Sequence, residues 1–399
     1  MNALKNKTFL LYFITNTLSL LGTWIQKIGV GWLTWEITHS TFWTSFVTLS
    51  LMAPAGIFGP LFAVFAERWD MRKASLYLKI LIFLVGACIW YMEHLNHHTL
   101  FSLAFLSITQ GMVQACYHPV RLVFISEVVP REMLSSAVGL NAASFNASRV
   151  IGPSIAGLLI LFFDLETTFF IALLAYLPLI PILIFMKLNN RKKSILETKN
   201  FFNRLVEGGK VAVQTPIIFK CLFLVLMNGF FVRGMLEIQP TIAGEILESG
   251  SSGLSLITAA TGLGALLGSI WVGLGEKTGF KAEKVILPML YFGFVVSALI
   301  VFFDNLYIIS FLFVVAGFTA TTVGIGSQTL IQLEVQDSYR ARVLTWWSTM
   351  SFGFLTLGGL SLGYAGEFIP LRTAMIVMPM LGIILFKIIW HYKFNNKLI

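Results

Sequence analysis

The stretch NAASFNASRVIGPSIAGLLI, residues 141–160, combines the features that decide the fold. Its length matches the roughly 20 residues that a helix needs to cross about 30 Å of hydrocarbon. Arg149 lies in its middle, and Gly152 and Pro153 follow shortly after. A charge inside an apolar span is costly and usually marks a transport pathway or a buried pair. The stretch therefore predicts a membrane helix that carries a functional arginine and bends at the Gly-Pro pair.

The whole chain has the composition of an integral membrane protein. Hydrophobic residues make up 57% of its 399 residues and charged residues 12%, and its mean hydropathy is +0.81. Since lipid leaves unpaired backbone groups without partners, and no period-two alternation is seen, the spans are predicted to be helices. The first apolar run lacks a cleavage site, so we expect it to be retained. Twelve membrane helices are predicted, at residues 8–35, 41–66, 75–92, 99–127, 133–162, 167–187, 217–243, 253–275, 284–303, 306–333, 341–366 and 371–391.

The basic residues predict the orientation of the chain in the membrane. Lys and Arg concentrate on the cytoplasmic side of membrane proteins, and this rule is satisfied when both termini are cytoplasmic. Anionic lipid headgroups explain the net charge of +9, so no nucleic-acid partner is implied. The chain is thus predicted to be a multi-pass protein of the bacterial inner membrane. The predicted inner-face cations include Lys5, Lys7, Arg68, Arg72, Lys73, Lys79, Arg131, Lys187, Lys210, Lys220, Arg340, Arg342 and Lys387.

The chain is predicted to divide into two halves of six helices each. Its longest hydrophilic stretch, NNRKKSILETKNFFNRLVEGGK, runs over residues 189–210. Corresponding loops at 128–137 and 333–343 suggest a duplication of the kind found in transporters. The predicted domains are an N-terminal half at 1–188, a cytoplasmic linker at 189–215 and a C-terminal half at 216–399.

Polar residues inside the spans predict a cavity for substrate. Lys27, Arg149 and Arg233 each lie about two-thirds of the way across their helices at about 1.5 Å per residue, so they could share one cationic layer. Such a layer suits an anionic cargo. Two alternatives stay open: Arg233 and Glu237, spaced i to i+4, could neutralise each other, and Arg149 could bond carbonyls freed around Pro153. The predicted cavity residues are Asn16, Gln26, Lys27, Asn146, Arg149, Asn228, Arg233 and Glu237.

The loop GPLFAVFAERWDMRKAS, residues 59–75, resembles the loop between helices two and three of the major facilitator superfamily of secondary transporters. The resemblance covers nearly the whole chain and implies an all-α membrane fold of twelve helices, whose two halves rock about a central cavity. Arg121 lies nearer the inner surface than the other intramembrane cations, where Glu127, Glu132, Glu67 or Asp70 could neutralise it. The resemblance implies a conformational latch on the cytoplasmic side, formed by Glu67, Arg68, Asp70, Arg72, Lys73 and Arg121.

Two helix motifs bear on the direction of transport. Gly139, Ser148, Gly152, Pro153 and Ala156 match the spacing of the fifth-helix motif of antiporters, which implies a bending, closely packed helix and favours export. The fourth-helix motif keeps its Gln-Gly pair at residues 110–111 but has a serine at residue 107, where the superfamily carries an arginine associated with proton coupling.

Three blocks, at residues 23–40, 119–153 and 331–343, resemble the branch that includes the enterobactin exporter and related secretion transporters. This resemblance implies a secondary transporter that works by alternating access, with the proton as the expected coupling ion. Together with the cationic layer and the aromatic residues among the spans, it predicts export of a small anionic or amphipathic molecule, a siderophore in the first instance. A functional monomer is expected because one chain contains both halves of the cavity. Glu237 is the predicted proton carrier, with Glu127 and His118 behind it. Multidrug efflux, siderophore uptake and lysophospholipid movement stay open as alternatives.

Other residues predict no enzymatic or metal chemistry. The sequence contains no Walker loop, zinc-ligand pair or nucleophile elbow, so neither ATP-driven pumping nor hydrolysis is expected. Cys88, Cys116 and Cys221 stand singly in apolar spans and are expected to be reduced. His94, His97 and His98 could bind a metal together with Glu93, but a solvated turn is favoured because no supporting groups surround them. No cofactor and no metal are predicted.

Overall fold

The computed structural model describes residues 2–66, 69–186, 201–275 and 282–391. These residues form helices and short connections, with no strand among them, which confirms the predicted all-α class. The α-helices, in chain order, are α1 Lys7–Thr38, α2 Thr41–Ser50, α3 Ala53–Ala66, α4 Met71–His94, α5 Leu100–Val128, α6 Arg131–Phe162, α7 Leu165–Tyr176, α8 Leu179–Phe185, α9 Phe201–Gln214, α10 Pro216–Met227, α11 Gly234–Leu236, α12 Gln239–Thr241, α13 Gly250–Gly275, α14 Ala282–Leu299, α15 Leu306–Glu334, α16 Asp337–Gly366 and α17 Leu371–Trp390. Short 3₁₀ turns at Asn2–Lys5 and Ile300–Phe302 and π-helical segments at Asn228–Arg233 and Ile242–Ile246 complete the described structure.

By length and apolarity alone, the described chain contains fewer candidate membrane spans than the twelve predicted. Ten of its helices are long and apolar enough to cross a membrane. The count rises to eleven if the pair Thr41–Ser50 and Ala53–Gly59, which is bent by 45°, forms one span. The helix α16 is long enough but is not among them, since Ser, Thr, Gly and Trp make up much of its length. Each predicted span coincides with helical structure, but the exact count of twelve is not confirmed.

The helices gather into two compact units. The first unit comprises Met1–Ile37 and Ser50–Phe202, and the second comprises Thr38–Leu49 and Asn203–Ile399. The segment Thr38–Leu49 therefore groups with the later helices, although it precedes most of the first unit in the chain. Residues 189–200 of the predicted linker lie outside the described residues.

The first unit packs α4 and α5 side by side, with α3 on α5 and α7 on α4. Small residues let its helices approach closely, as expected for membrane helices, between which van der Waals packing is the main attraction. A Cβ atom on Gly22 of α1 would lie only 2.7 Å from the carbonyl oxygen of Ala172 on α7. Near the start of α1, Phe9 and Tyr12 belong to an apolar cluster with Phe124 of α5.

The second unit is built around α15, on which both α13 and α14 pack, and around α16, which packs on the π-helical segment Asn228–Arg233. Gly234 faces the backbone of Gly358, so this contact has no room for a side chain. The segment Thr38–Leu49 is held by two carboxylates. Glu367 accepts hydrogen bonds from the Ser40 hydroxyl at 2.6 Å and the Phe42 amide at 3.2 Å, and the Thr41 hydroxyl donates to Glu245 at 3.3 Å.

Candidate substrate-binding site

The buried charges of the described residues are all positive. Lys27 of α1, Lys79 of α4 and Arg121 of α5 are 5%, 1% and 3% exposed, and no Asp or Glu with a described side chain is buried to this extent. All three belong to the first unit. Buried charge is costly unless it is paired or solvated by polar groups, so the surroundings of these three cations decide what the unit can bind.

Lys79 lies in the interior of the first unit, not at the predicted inner face. The carboxylate of Asp70 caps α4 by accepting from the amide of Lys73 at 3.0 Å, so the helix begins at Met71. Lys79 therefore sits more than two turns into the helix. Its Nζ donates to the Ser19 hydroxyl at 2.8 Å and lies 4.0 Å from the ring centroid of Tyr117.

Arg121 follows Tyr117 by one turn of α5. Its guanidinium carbon lies 5.0 Å from the ring centroid of Phe145 on α6, yet its Nε and Nη1 have no hydrogen-bond partner among the described residues. The neutralisation by acidic residues that the sequence suggested stays a prediction, because Glu67 lies outside the described residues. Of the other suggested partners, Asp70 caps α4 and Glu132 is exposed. No contact of Arg121 joins it to a described residue of the predicted latch.

Two predicted cavity residues take part in buried hydrogen bonds within the first unit. Gln26 and Gln110 pair through their amides, with Gln110 Nε2 donating at 2.9 Å, and the Tyr176 hydroxyl donates to Gln26 Oε1 at 2.8 Å. Asn16 accepts from the Tyr117 hydroxyl at 3.1 Å. These bonds tie α1 to α5 and α7. Because Asn16 and Gln26 are 1% and 2% exposed, their amides are committed to other side chains in this structure.

Lys27 and the fifth-helix motif meet at Trp24. Lys27 Nζ lies 5.3 Å from the Trp24 ring centroid, and a Cβ atom on Gly152 would come within 2.5 Å of Trp24 Cβ. The helix α6 continues through Pro153. Ala156 and Ser148 are fully buried, and Ala156 packs with Ile25 and Ala172. Gly139 has no described atom near its Cβ position, so this part of the motif makes no close contact.

Two further predicted cavity residues, Asn146 and Arg149, lie on α6. Arg149 is partly exposed, and the side chain of Asn146 lies outside what the structure describes.

The predicted cavity residues of the second unit lie at the π-helical segment. Asn228 donates through Nδ2 to the carbonyl of Ala320 at 3.0 Å, and Arg233 Nη1 donates to the Ser351 hydroxyl at 3.3 Å. The charge of Glu237 acts on Arg233, which agrees with the alternative that these two residues neutralise each other. The cavity residues thus fall in two sets, five in the first unit and three in the second.

The described latch residues make local contacts in the first unit. Arg72 Nη1 donates to the carbonyl of Met186 at 3.0 Å, Asp70 caps α4, and the side chain of Lys73 is exposed. Glu67 and Arg68 lie outside the described residues. The latch role of the set stays a prediction.

The polar turns between α4, α5 and α7 contain two contacts between a histidine and a carboxylate. His94 Nδ1 lies 2.7 Å from Glu166, and His98 Nδ1 lies 3.1 Å from Glu93. Burial lowers the pKa of His98 below its usual value. No group of three or more potential metal ligands occurs in the described parts of the chain.

Lys79 and the hydroxyls around it are the residues that reasoning from the sequence missed. The predicted span began at residue 75, which placed Lys79 about one turn from its start and near the inner surface. Counting from the capping carboxylate of Asp70 would have placed it inside the span, and this is the signal that the sequence offers.

Comparison with known proteins agrees with this architecture. The family profile described as transmembrane secretion effector, a family of the major facilitator superfamily, matches residues 1–396. The staphyloferrin A transporter of Staphylococcus aureus is 21% identical over 394 residues, which cover 97% of this chain and 96% of that protein. Macrolide efflux protein A of Streptococcus pyogenes is 22% identical over 259 residues, or 64% of each chain. A solved structure of a bacterial homologue of the human lysosomal transporter Spinster matches with a TM-score of 0.66 and 13% identity, covering 94% of both chains.

The likeness to the solved structure shows the fold, and the family match covers nearly the whole chain. Both agree with the helices described above and confirm the major facilitator fold that the sequence predicted. The family and these relatives are membrane transporters, not enzymes. The chain is thus a multi-pass transporter of the plasma membrane, and it belongs to the transmembrane secretion effector family of the major facilitator superfamily.

Proposed function

We propose that this transporter exports a small anionic molecule of the siderophore class. The observation that carries the proposal is the sign of the buried charges: Lys27, Lys79 and Arg121 are all cations in the first unit. A buried cation is stabilised when an anion enters its surroundings. An anionic cargo would therefore be bound by charges that the protein already holds in place.

The relatives support the class of cargo and the direction. The staphyloferrin A transporter, whose name states a siderophore, matches nearly the full length of both chains. The family is described as a secretion effector, and macrolide efflux protein A is named for outward transport. We assign both termini to the cytoplasm on the distribution of basic residues, and we expect a functional monomer working by alternating access.

Arg233 and Glu237 are the proposed coupling pair in the second unit. A cargo anion that binds Arg233 would compete with the Glu237 carboxylate, and this competition is the proposed basis of antiport. Lys27 and Arg149, in the first unit, are the proposed cargo contacts among the residues that the sequence singled out.

The test is mass spectrometry of spent medium and cell extract from an iron-limited deletion strain. We expect an iron-chelating anion to disappear from the medium, to accumulate in the cells, and to return with the wild-type gene. Lys27→Gln should restore secretion poorly, whereas Lys7→Gln, which removes an exposed charge in the same unit, should restore it fully. Unchanged secretion combined with a loss of siderophore uptake would overturn the proposed direction.

Drug efflux is the second candidate, and the match to macrolide efflux protein A favours it. The buried cations oppose a positively charged drug, because like charges repel strongly at low dielectric. The same deletion strain separates the two functions. Drug sensitivity of that strain, with secretion of the chelator unaffected, would replace siderophore export by drug efflux.

A further inference from the structure

We propose that Lys79 and Arg121, together with the hydroxyls of Tyr12 and Ser75, form a binding site for a small oxyanion inside the first unit. The ligand chemistry is that of a carboxylate or a phosphate group. The inference deepens the proposed function and rests on it where the anion is taken to be a carboxylate of the cargo.

Two buried cations lie close to Tyr117. Lys79 and Arg121 are 1% and 3% exposed; the Lys79 Nζ lies 4.0 Å from the Tyr117 ring centroid, and Arg121 follows Tyr117 by one turn of α5. No carboxylate of the described chain pairs with either of them. Two like charges held together away from water are unfavourable. An anion between them would remove both the repulsion and the lack of a counter-charge.

Four hydrogen-bond donors near these cations have no acceptor in the described structure. Nε and Nη1 of Arg121, the Tyr12 hydroxyl and the Ser75 hydroxyl are buried and make no well-formed hydrogen bond in the described structure. The Tyr12 hydroxyl lies close to that of Tyr117 without reaching hydrogen-bond geometry. Buried polar groups are nearly always satisfied, so four such donors in one region indicate a missing acceptor. The oxygens of an oxyanion accept several hydrogen bonds at once.

These donors lie on the three helices α1, α4 and α5. Contacts pair Ser19 with Lys79 and Gln26 with Gly86, so α1 and α4 run parallel. The pairs Tyr12–Phe124, Asn16–Tyr117 and Gln26–Gln110 show that α5 runs antiparallel to α1.

Asn16, Lys79 and Tyr117 thus form one layer across the three helices. Tyr12 and Ser75 precede Asn16 and Lys79 by four residues, and Arg121 follows Tyr117 by four residues. Given the helix directions, all three lie one turn away from this layer on the same side. The unsatisfied donors therefore converge from three helices, with Lys79 at the edge of the group.

The surroundings are aromatic and favour a compact anion. Phe145 lies against Arg121, and Phe124 meets Tyr12 edge to face with 5.2 Å between ring centroids. His118 also faces Phe145, at 6.0 Å between centroids. Such walls exclude water and strengthen charge-assisted hydrogen bonds to the anion.

The test measures thermal unfolding of the purified full-length protein in detergent. Citrate, a hydroxy-tricarboxylate, serves as the carboxylate probe, and inorganic phosphate and an anionic phospholipid serve as the phosphate probes. Sodium chloride at matched ionic strength is the control. A ligand that binds the folded state raises Tm in a saturable way, and we expect citrate to do so and chloride not.

Four variants connect the effect to the site. Arg121→Met and Lys79→Met should unfold at or above the wild-type temperature without ligand, because each removes one of two repelling buried charges. Both should lose the citrate shift. Tyr12→Phe removes only a hydroxyl and should weaken citrate binding about tenfold, which corresponds to one charge-assisted hydrogen bond. Lys7→Gln should behave like the wild type.

The outcomes are distinct. Equal shifts from citrate and chloride, or a citrate shift that survives in Arg121→Met and Tyr12→Phe, would overturn the site. A shift from the phospholipid alone, lost in the same variants, keeps the oxyanion site and assigns its anion to lipid. If citrate binds as expected but the deletion strain secretes the chelator normally, the site is retained and the proposed cargo is refuted.

Discussion

Two glycines of the same helix show how a single residue limits the packing of the first unit. A Cβ atom on Gly152 would lie only 2.5 Å from the Cβ of Trp24, whereas a Cβ atom on Gly139 would meet no described atom within 4 Å. Trp24 in turn carries the ring beside which Lys27 lies. The spacing of α1 and α6 near this cation therefore depends on the absence of one methyl group.

We expect Gly152→Ala to destabilise the protein by about 1–3 kcal/mol, the usual cost of overpacking a close helix contact. Gly139→Ala is the matched control and should be neutral or stabilising by up to about 1 kcal/mol, because alanine favours the helix. Thermal unfolding of the purified variants in detergent compares them. Equal stability of the two variants would contradict the close approach of α6 to Trp24.

Some residues of the site could be predicted and others could not. Asn16, Gln26 and Lys27 were expected in the interior because a polar residue in an apolar span must find partners there. Lys79 was misplaced, because its depth depends on the helix start set by Asp70 and on Ser19 of α1. The unsatisfied donors around Arg121 depend on contacts among three helices, which no local pattern encodes.

At the scale of elements, helix starts are set by side chains that accept backbone hydrogen bonds. Asp164 begins α7 by accepting from the amide of Thr167 at 2.6 Å, and Thr99 begins α5 through a reciprocal pair with Ser102. The bond from Thr167 lowers the pKa of Asp164 below its usual value. The charged form of Asp164 is thus the form that stabilises the start of α7.

Asp164→Ala should lower the free energy of unfolding by about 0.5–2 kcal/mol at neutral pH, as for other lost helix caps. Because folding lowers the pKa, the contribution of Asp164 is full above its unfolded pKa and is lost as the pH falls through the folded value. Asp164→Asn keeps an acceptor and should retain most of the stability without this acid dependence. Unfolding curves at several pH values measure both effects, and an acid dependence that persists in Asp164→Asn would refute the assignment.

The membrane helices were largely predictable as elements, because lipid requires long apolar runs without unpaired backbone groups. The π-helical segment Asn228–Arg233 was not predictable. It adds a residue to a turn, and α16 packs on it where Gly358 faces the carbonyl of Phe230. The i to i+4 relation expected between Arg233 and Glu237 therefore crosses an irregular part of the helix.

For the whole molecule, the distribution of basic residues is the main guide to orientation. Fusions to a reporter test it directly, because alkaline phosphatase is active only outside the cytoplasm and green fluorescent protein fluoresces well inside it. We expect fluorescence from a fusion after Ile399 and phosphatase activity from a fusion after His97, in the turn between α4 and α5. The reverse pattern would show that the termini are outside.

The grouping of Thr38–Leu49 with the later helices has a consequence for dividing the gene. The chain enters the second unit at Thr38, returns to the first at Ser50 and leaves it again after Phe202. A fragment that starts after residue 202 therefore lacks a helix of its own unit, and with it the hydroxyls that bond Glu245 and Glu367. Gly359 and Gly363 would also lose their packing contacts with Leu49 and Ser45. If the gene is divided after residue 202, the first fragment carries the segment Thr38–Leu49, which belongs to the second unit. The two fragments can therefore restore the protein only if this segment packs into the unit that the second fragment forms.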